Sequence, residues 1–354
     1  MNKNNIFSKI FCLFVIFLPL VAWNNYYEGP KLIYFFVGTS CVFIFWIYRI
    51  LIQKKDVDLN RSDLYFLSWL LTLLISSLLG VHPWESVVGA SYRHQGILFF
   101  LSLWIIYKTV NLLDIKQKLF LNRGVGVIVV LESVIVFIQY LYGQIYFGKP
   151  LGTIGEANAV AGFLAIGSYF VFEYFPNIFF AIPVLAILIE ESKSSVLSIL
   201  PNLLIVFKNL NKKFQKFLSV TILTIGICTI IFISFKPITS PFENRQIIWK
   251  LGFAQIITKP LLGFGAESGE VVYDSAFSKH NLPLDGLIID RAHNLFIDVA
   301  MWSGFIGLIL FGGFLINRFR GLENKYKKLA FVSFFIYSMF QPLSIVHWIF
   351  LFVL

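Results

Sequence analysis

Apolar residues in this chain run in blocks, with almost no polar stripe through them. The blocks are Ile6–Ala22, Leu32–Tyr48, Leu64–Val81, Gly96–Leu113, Val125–Tyr142 and Ala157–Phe172, then Ile178–Ile189, Val196–Phe207, Phe217–Phe235, Leu295–Ile316 and Leu329 onwards. A helix rising about 1.5 Å per residue needs about 20 apolar residues to cross hydrocarbon ~30 Å thick. Gly, Pro, Asn or charge clusters separate the blocks, as expected where helices end. The pattern predicts an all-α, polytopic transmembrane bundle of about 11–12 spans. The last block is interrupted by Gln341-Pro342, so it is either one long kinked helix or a helix followed by a short returning one. One connection is long, from Lys236 to Asn294, and it divides the chain into helices over 1–235, a loop over 236–294 and C-terminal helices over 295–354. Within the loop, Ile247–Ile257 reads as a short interfacial helix. Pro260 stops it, Gly263-Phe264-Gly265 makes a turn, and an acidic stretch follows (Glu267, Glu270, Asp274, Asp285, Asp290).

Composition agrees with a bilayer. Of 354 residues, 58% are hydrophobic and only 14% charged, with a mean hydropathy of +0.78; a soluble domain carries roughly a quarter charged residues. The net charge of +10 raises the question of nucleic acid, but the Lys and Arg residues sit at the ends of the apolar blocks instead of on one soluble face. That is the membrane-orientation pattern. With the N-terminus cytoplasmic, eighteen lysines and arginines fall on the inner side and ten on the outer, six of these in the long loop. The long loop is thereby placed outside. No small-residue cleavage site follows Ile6–Ala22, so this segment is read as a retained span. Cys12, Cys41 and Cys228 lie in apolar blocks, which argues against a disulfide framework or a thiolate metal site.

Candidate chemistry gathers on the outer side: Arg93, Lys193, Arg245, Arg291 and His293, with Asn158 and Asn294. Its carboxylates lack metal-ligand spacing, and there is no phosphate-binding or dinucleotide loop. Arg245, just before the interfacial helix, has a guanidinium that forks onto phosphate oxygens; an anchor to anionic headgroups is the plainer reading. His293, just before a span, suits proton transfer near neutral pH; a histidine bonded to a loop carbonyl is the plainer one. Lys193 stands beside Glu190 and Glu191, which are placed to neutralise it, and Arg93 lies in an aromatic-basic cluster of the kind that anchors spans at an interface. Within the spans, Glu132 stands out and reads as a helix-packing or hydrogen-bonding residue, while Lys108 sits near an inner end where it can snorkel.

Taken in order, these segments resemble the O-antigen ligase family of polytopic membrane enzymes. The resemblance rests on His293-Asn294-Leu295-Phe296 followed by Gly304-Phe305-Ile306-Gly307, and on Arg245, Trp249 and Lys259-Pro260-Leu261-Leu262-Gly263-Phe264-Gly265. Upstream, Gly152-Thr153-Ile154-Gly155-Glu156-Ala157-Asn158 and the stretch from Arg93 to Gly96 are similar to earlier family segments. One departure is Ser192-Lys193-Ser194, where the family usually carries Ser-Arg-Gly or Ser-Arg-Ala; lysine keeps the charge and loses the planar fork. The resemblance implies a GT-C-like bundle in the bacterial inner membrane. It also implies metal-independent, inverting transfer of a glycan from an undecaprenyl-diphosphate donor at the periplasmic face, with no cofactor. The acceptor would be lipid A core or another glycan, so ligase, polymerase and protein O-glycosylation all stay open, and nucleic acid is not a partner. His293 and Arg245 would be catalytic; Lys193, Arg291, Arg93, Asn294 and Asn158 would bind diphosphate or glycan. From another class, a transporter or flippase is the rival.

Overall fold

A computed structural model of the chain describes residues 3–23, 28–91, 93–144, 148–208, 245–281, 288–322 and 324–354. All regular elements among them are helices: α1 (Lys3–Phe17, extended by a 3-10 turn Leu18–Leu20), α2 (Glu28–Leu51), α3 (Arg61–Leu78), α4 (Pro83–Val88), α5 (Ile97–Asn111), α6 (Ile115–Leu141), α7 (Ala157–Tyr174), α8 (Asn177–Ile189) and α9 (Lys193–Lys208). After these come α10 (Arg245–Thr258), α11 (Gly269–Lys279), α12 (Leu295–Arg320), α13 (Lys325–Ser338) and α14 (Ile345–Val353). The span expected at Phe217–Phe235 lies outside the described residues. Three of the helices, α2, α6 and α12, are by themselves long and apolar enough to cross a membrane; α1, α5 and α8 are shorter apolar helices. The protein is thus an all-α membrane bundle. The outward face of α2 shows why a bilayer is needed: Ile33, Val37, Ile44 and Leu51 are each more than 60% exposed, an apolar surface that water would not tolerate at this extent.

The final block is two helices. α14 turns back along α13: near its start His347 Nε2 meets the Ala159 carbonyl at 3.0 Å, and at its end the Leu354 carbonyl accepts Lys327 Nζ, from the start of α13, at 2.9 Å. The helices pass back and forth between two ends of the bundle. α7 sits at the centre, buried almost without interruption from Ala159 to Val171, against α6, α8, α9 and α13. A helix apolar all round is one enclosed by others.

At one end, which we call the far end, a capping box starts α3: the Asn60 side chain accepts from Asp63 N–H at 2.9 Å, and Asp63 returns the bond at 2.8 Å. Asp63 is also fully buried and accepts from Lys108 Nζ and Trp104 Nε1, both at 2.9 Å. Lys108 therefore does not snorkel; it is 6% exposed and held by a buried carboxylate, which compensates its charge where solvent cannot.

The largest helix–helix interface joins α12 to α3, and α12 is broken within it. Gly304 has φ +64°, a non-helical residue inside an otherwise helical run. The break leaves carbonyls of the preceding turn without helical donors, and the turn after α10 supplies them: Phe264 N–H donates to the Met301 carbonyl at 2.7 Å and Gly265 N–H to the Trp302 carbonyl at 3.0 Å. Phe305 N–H, on the other side of the break, donates to the Pro260 carbonyl at 2.7 Å. The same turn is tied to α3 and α4 by Ala266 N–H to Ser77 Oγ (3.1 Å) and Ser86 Oγ to the Ala266 carbonyl (2.5 Å). Above the break, α10, α11 and the first half of α12 share a second core, separate from that of the bundle, built on Ile248, Leu251, Tyr273, Phe277, Ile297 and Met301.

Candidate functional site

The loop between α11 and α12 is fixed residue by residue. Asp290 receives the Arg93 guanidinium in a two-point ion pair. Burial alone favours a protonated Asp290, but Arg93 and Arg291 outweigh it and hold the carboxyl below its ordinary value. Arg291 is 3% exposed. It pairs with buried Glu267, donates to the Asp290 carbonyl at 3.2 Å and to Gln95 Oε1 at 3.5 Å, and lies over the Trp302 ring at 4.7 Å. Ala292 is held at both ends: its carbonyl accepts Trp249 Nε1 of α10 at 2.8 Å, and its N–H donates to Asp298 at 2.7 Å. Asn294 is the N-cap of α12, accepting from Phe296 N–H (3.1 Å) and Ile297 N–H (3.3 Å), while its amide reaches the Met339 carbonyl at 3.4 Å.

His293, clamped between these neighbours, takes φ +56°, a left-handed conformation that costs a non-glycine residue about 1–3 kcal/mol and concentrates at functional sites. Its Nδ1 is buried with no hydrogen-bond partner. Burial, then the nearby positive charges of Arg245 and Arg93, push the imidazole down to about 4, against the opposing pull of Asp290 and a hydrogen bond to Gln341. The ring is consequently neutral across the physiological range, with its buried Nδ1 left without a partner. Arg245, the first residue of α10, is close enough to act electrostatically on His293 and on the Tyr337 hydroxyl. The two residues singled out from sequence, 48 positions apart, share one locale.

The other sequence candidates divide. Arg93 joins the group directly. Asn158, at the head of α7, hydrogen-bonds to Glu156, and its carbonyl accepts from Tyr337 Oη at 3.0 Å. Arg291 and Asn294 have polar atoms committed inside the protein: Arg291 cross-links the loop and Asn294 caps a helix. Lys193 opens α9, is exposed, and stands at the same end of the bundle without a hydrogen bond or ion pair to the His293 group. Its expected neutralisers are engaged elsewhere. Lys149 takes the Glu190 carbonyl at 2.9 Å and the Glu191 carboxylate at 3.8 Å, and the Glu190 carboxyl is fully buried. Burial pushes it up to about 8 despite nearby Lys149, with Glu132 adding to the rise, so it stays neutral near pH 7.

Sequence reading passed over Asp290, Gln341, Glu267 and Glu156. Asp290 stands at the end of the loop's acidic stretch and Gln341 at the interruption of the last block; neither carries a local signal of its role, because their partners come from distant segments. Among the described residues, no three His, Cys, Asp or Glu side chains gather as a metal would need.

Comparison with known proteins follows the same lines. Residues 178–312 match the family model described as O-antigen ligase, a stretch that includes Lys193, Arg245, Arg291, His293 and Asn294. A protein of Acinetobacter baylyi (strain ATCC 33305 / BD413 / ADP1) named ComP-specific O-oligosaccharyltransferase is 23% identical over 345 residues, 88% of this chain and 58% of that protein. The chain therefore spans less than two thirds of that relative's length. The strained His293 and the Arg245 near it both fall within the matched stretch, so over residues 178–312 this helical membrane bundle is similar to the O-antigen ligase family.

Proposed function

We propose that the chain is a membrane glycosyltransferase that moves a glycan from an undecaprenyl-diphosphate carrier to an acceptor hydroxyl, with inversion at the anomeric carbon and without a metal. The observation that carries this reading is the placement of Arg245 and Arg93 beside a His293 kept neutral with an unpartnered Nδ1. The acceptor oxygen attacks C1 from the face opposite the diphosphate, and the C1–O bond to phosphate breaks. Its electron pair passes to the diphosphate, where Arg245 meets the developing charge, with Arg93 nearby and Lys193 at the rim. The hydroxyl proton passes to His293 Nδ1. Arg291 and Asn294 position the loop instead of touching substrate. The site faces the periplasm of the inner membrane, and the acceptor is lipid A core, as for a ligase, or a second lipid-linked glycan, as for a polymerase. The name of the Acinetobacter relative adds oligosaccharide transfer to a protein acceptor as a third outcome of the same chemistry. A transporter is the less suited reading, because the buried charges Glu132, Lys108 and Lys31 within helices are each bonded to a fixed partner.

In detergent or nanodiscs with a lipid-diphosphate-linked glycan donor, Arg245→Ala and His293→Ala are each expected to lower transfer by about 10²-fold or more, in the range of lost charge stabilisation or lost proton transfer. Full transfer by both correctly inserted variants overturns the assignment. In cells, surface polysaccharide gels separate the acceptors: loss of a ligase leaves glycan on the carrier, and loss of a polymerase leaves single units on core.

A further inference from the structure

The turn that precedes α7 is built with unusual rigidity. Glu132, buried within α6, accepts from Thr153 N–H at 2.6 Å and Thr153 Oγ1 at 2.8 Å. Gln139, two turns further along α6, accepts from Leu151 N–H (3.1 Å) and Gly152 N–H (2.7 Å) and donates to the Gly152 carbonyl at 3.0 Å. Fully buried Lys31 of α2 donates to the Thr153 carbonyl at 2.5 Å and to the Val21 carbonyl at 2.8 Å. Gly152 has φ +55°, and a Cβ there would lie 2.1 Å from Glu132 Oε1. Three side chains from two helices, Glu132 and Lys31 buried and Gln139 partly so, thus fix the path of a five-residue turn, and what the turn delivers is Glu156.

Glu156 occupies the N-cap position of α7, yet its side chain caps nothing. The residue keeps exposed surface, while its carboxylate hydrogen-bonds to Asn158 and acts electrostatically on and from Arg93, Asp290, Glu28 and Tyr337. It therefore lies close to the Arg93–Asp290 pair, the same pair that acts on His293. The surrounding protein raises its carboxyl above the ordinary range, with Arg93 and Asn158 opposing and Asp290 adding to the rise. Next to a site proposed to hold a diphosphate, a carboxylate contributes nothing to phosphate affinity and repels it. It does suit the neutral, hydroxyl-rich group attached to that diphosphate, since carboxylates accept from hydroxyls in charge-assisted bonds.

We infer that Glu156, with Asn158 beside it, is a specificity-determining residue that accepts hydrogen bonds from the hydroxyl groups of the sugar linked to the carrier diphosphate. This rests on the function proposed above and deepens it by dividing the site. Arg245 and Arg93 hold the diphosphate, and the Glu156 turn reads the glycan.

The test compares two lipids binding to the purified full-length protein without acceptor: glycan-free undecaprenyl diphosphate and the same carrier bearing its glycan. Glu156→Gln keeps the shape and the Asn158 contact and removes the charge. It is expected to weaken the glycan-bearing lipid about tenfold to a hundredfold, the range for losing a charged hydrogen bond, and to leave the glycan-free carrier within twofold. Glu156→Asp, which restores the charge on a shorter arm, recovers part of the loss. Equal weakening of both lipids overturns the inference, because Glu156 then acts through Arg93 on the diphosphate. No weakening of either also overturns it, because Glu156 is then a surface charge. A wild-type protein that binds neither lipid removes the proposed function itself, a result distinct from both.

Discussion

His293, the base in the proposed reaction, owes its state to charge and burial together. Burial disfavours imidazolium, and Arg245 and Arg93 add to that penalty, leaving the ring at about 4. A group with so low a value is uncharged at neutral pH, and in the proposed reaction an anionic diphosphate on the arginines would relax the penalty as the acceptor proton is transferred. The sign follows directly. His293 is competent above its pKa, so kcat/KM, which reports the free enzyme, stays level down to about pH 5 and falls as pH approaches 4. In Arg245→Gln one positive charge is removed, imidazolium becomes easier to form, and the acid limb of the residual activity moves to higher pH. A limb that stays fixed, or moves lower, sinks the electrostatic account of His293. Arg291 makes a separate case. Its pairing with Glu267, at 4% and 2% side-chain exposure, is a buried ion pair, and removing one partner from such a pair costs about 3–5 kcal/mol. Arg291→Met should lower the midpoint of thermal unfolding in detergent, and adding Glu267→Leu to it should restore much of the loss. A single variant as stable as the wild type shows that the pair holds nothing.

Helices were largely legible from the apolar blocks, and the exceptions have physical causes. The block read from Val125 belongs to a helix that begins at Ile115, because its first turns (Ile115-Lys116-Gln117-Lys118) are polar and depend on an Asp114–Gln117 capping box; hydropathy sees the membrane-facing part of a helix, not its solvated start. The Gln341-Pro342 interruption marked a real end, yet only contacts with Ala159 and Lys327 show that α14 returns. The break in α12 had no signal at all. Gly304 sits in an apolar run, and its donors arrive from Gly263-Phe264-Gly265, some forty residues earlier. The glycine motif that in sequence was worth no more than a turn is the cap of a broken helix. Gly304→Ala tests this. Its Cβ would fall 2.2 Å from the Leu261 carbonyl at a φ of +64°, so either α12 straightens and ejects the turn or the turn moves. Since α10 runs from that turn back to Arg245, glycan transfer should fall about tenfold or more even though Gly304 is remote from His293, as displacements of about 1 Å can cost that much. Unchanged transfer together with unchanged thermal stability would show that the turn and the break are independent.

At the scale of the whole molecule, the bundle has two unlike ends. The far end collects Arg49, Lys54, Lys55, Arg61, Lys116, Lys118, Arg318, Arg320, Lys325 and Lys328 around short connections. At the site end the positive charges are largely matched locally: Arg93 by Asp290, Arg291 by Glu267, Lys149 by Glu191. Insertion follows Lys and Arg in short loops, so the far end should stay in the cytoplasm and the site end should be exported. On the function proposed above, the lipid-linked donor would meet the site only on the exported side of the bilayer. Single cysteines placed in a background with Cys12, Cys41 and Cys228 replaced by Ser provide the check. Glu191→Cys and Asn281→Cys, both exposed at the site end, should react with a membrane-impermeant maleimide added to spheroplasts, whereas Lys55→Cys should react only after the membrane is opened. The reverse labelling would put Arg245 and His293 in the cytoplasm, where a donor that had not yet been flipped would reach them and where the acceptors proposed here are absent.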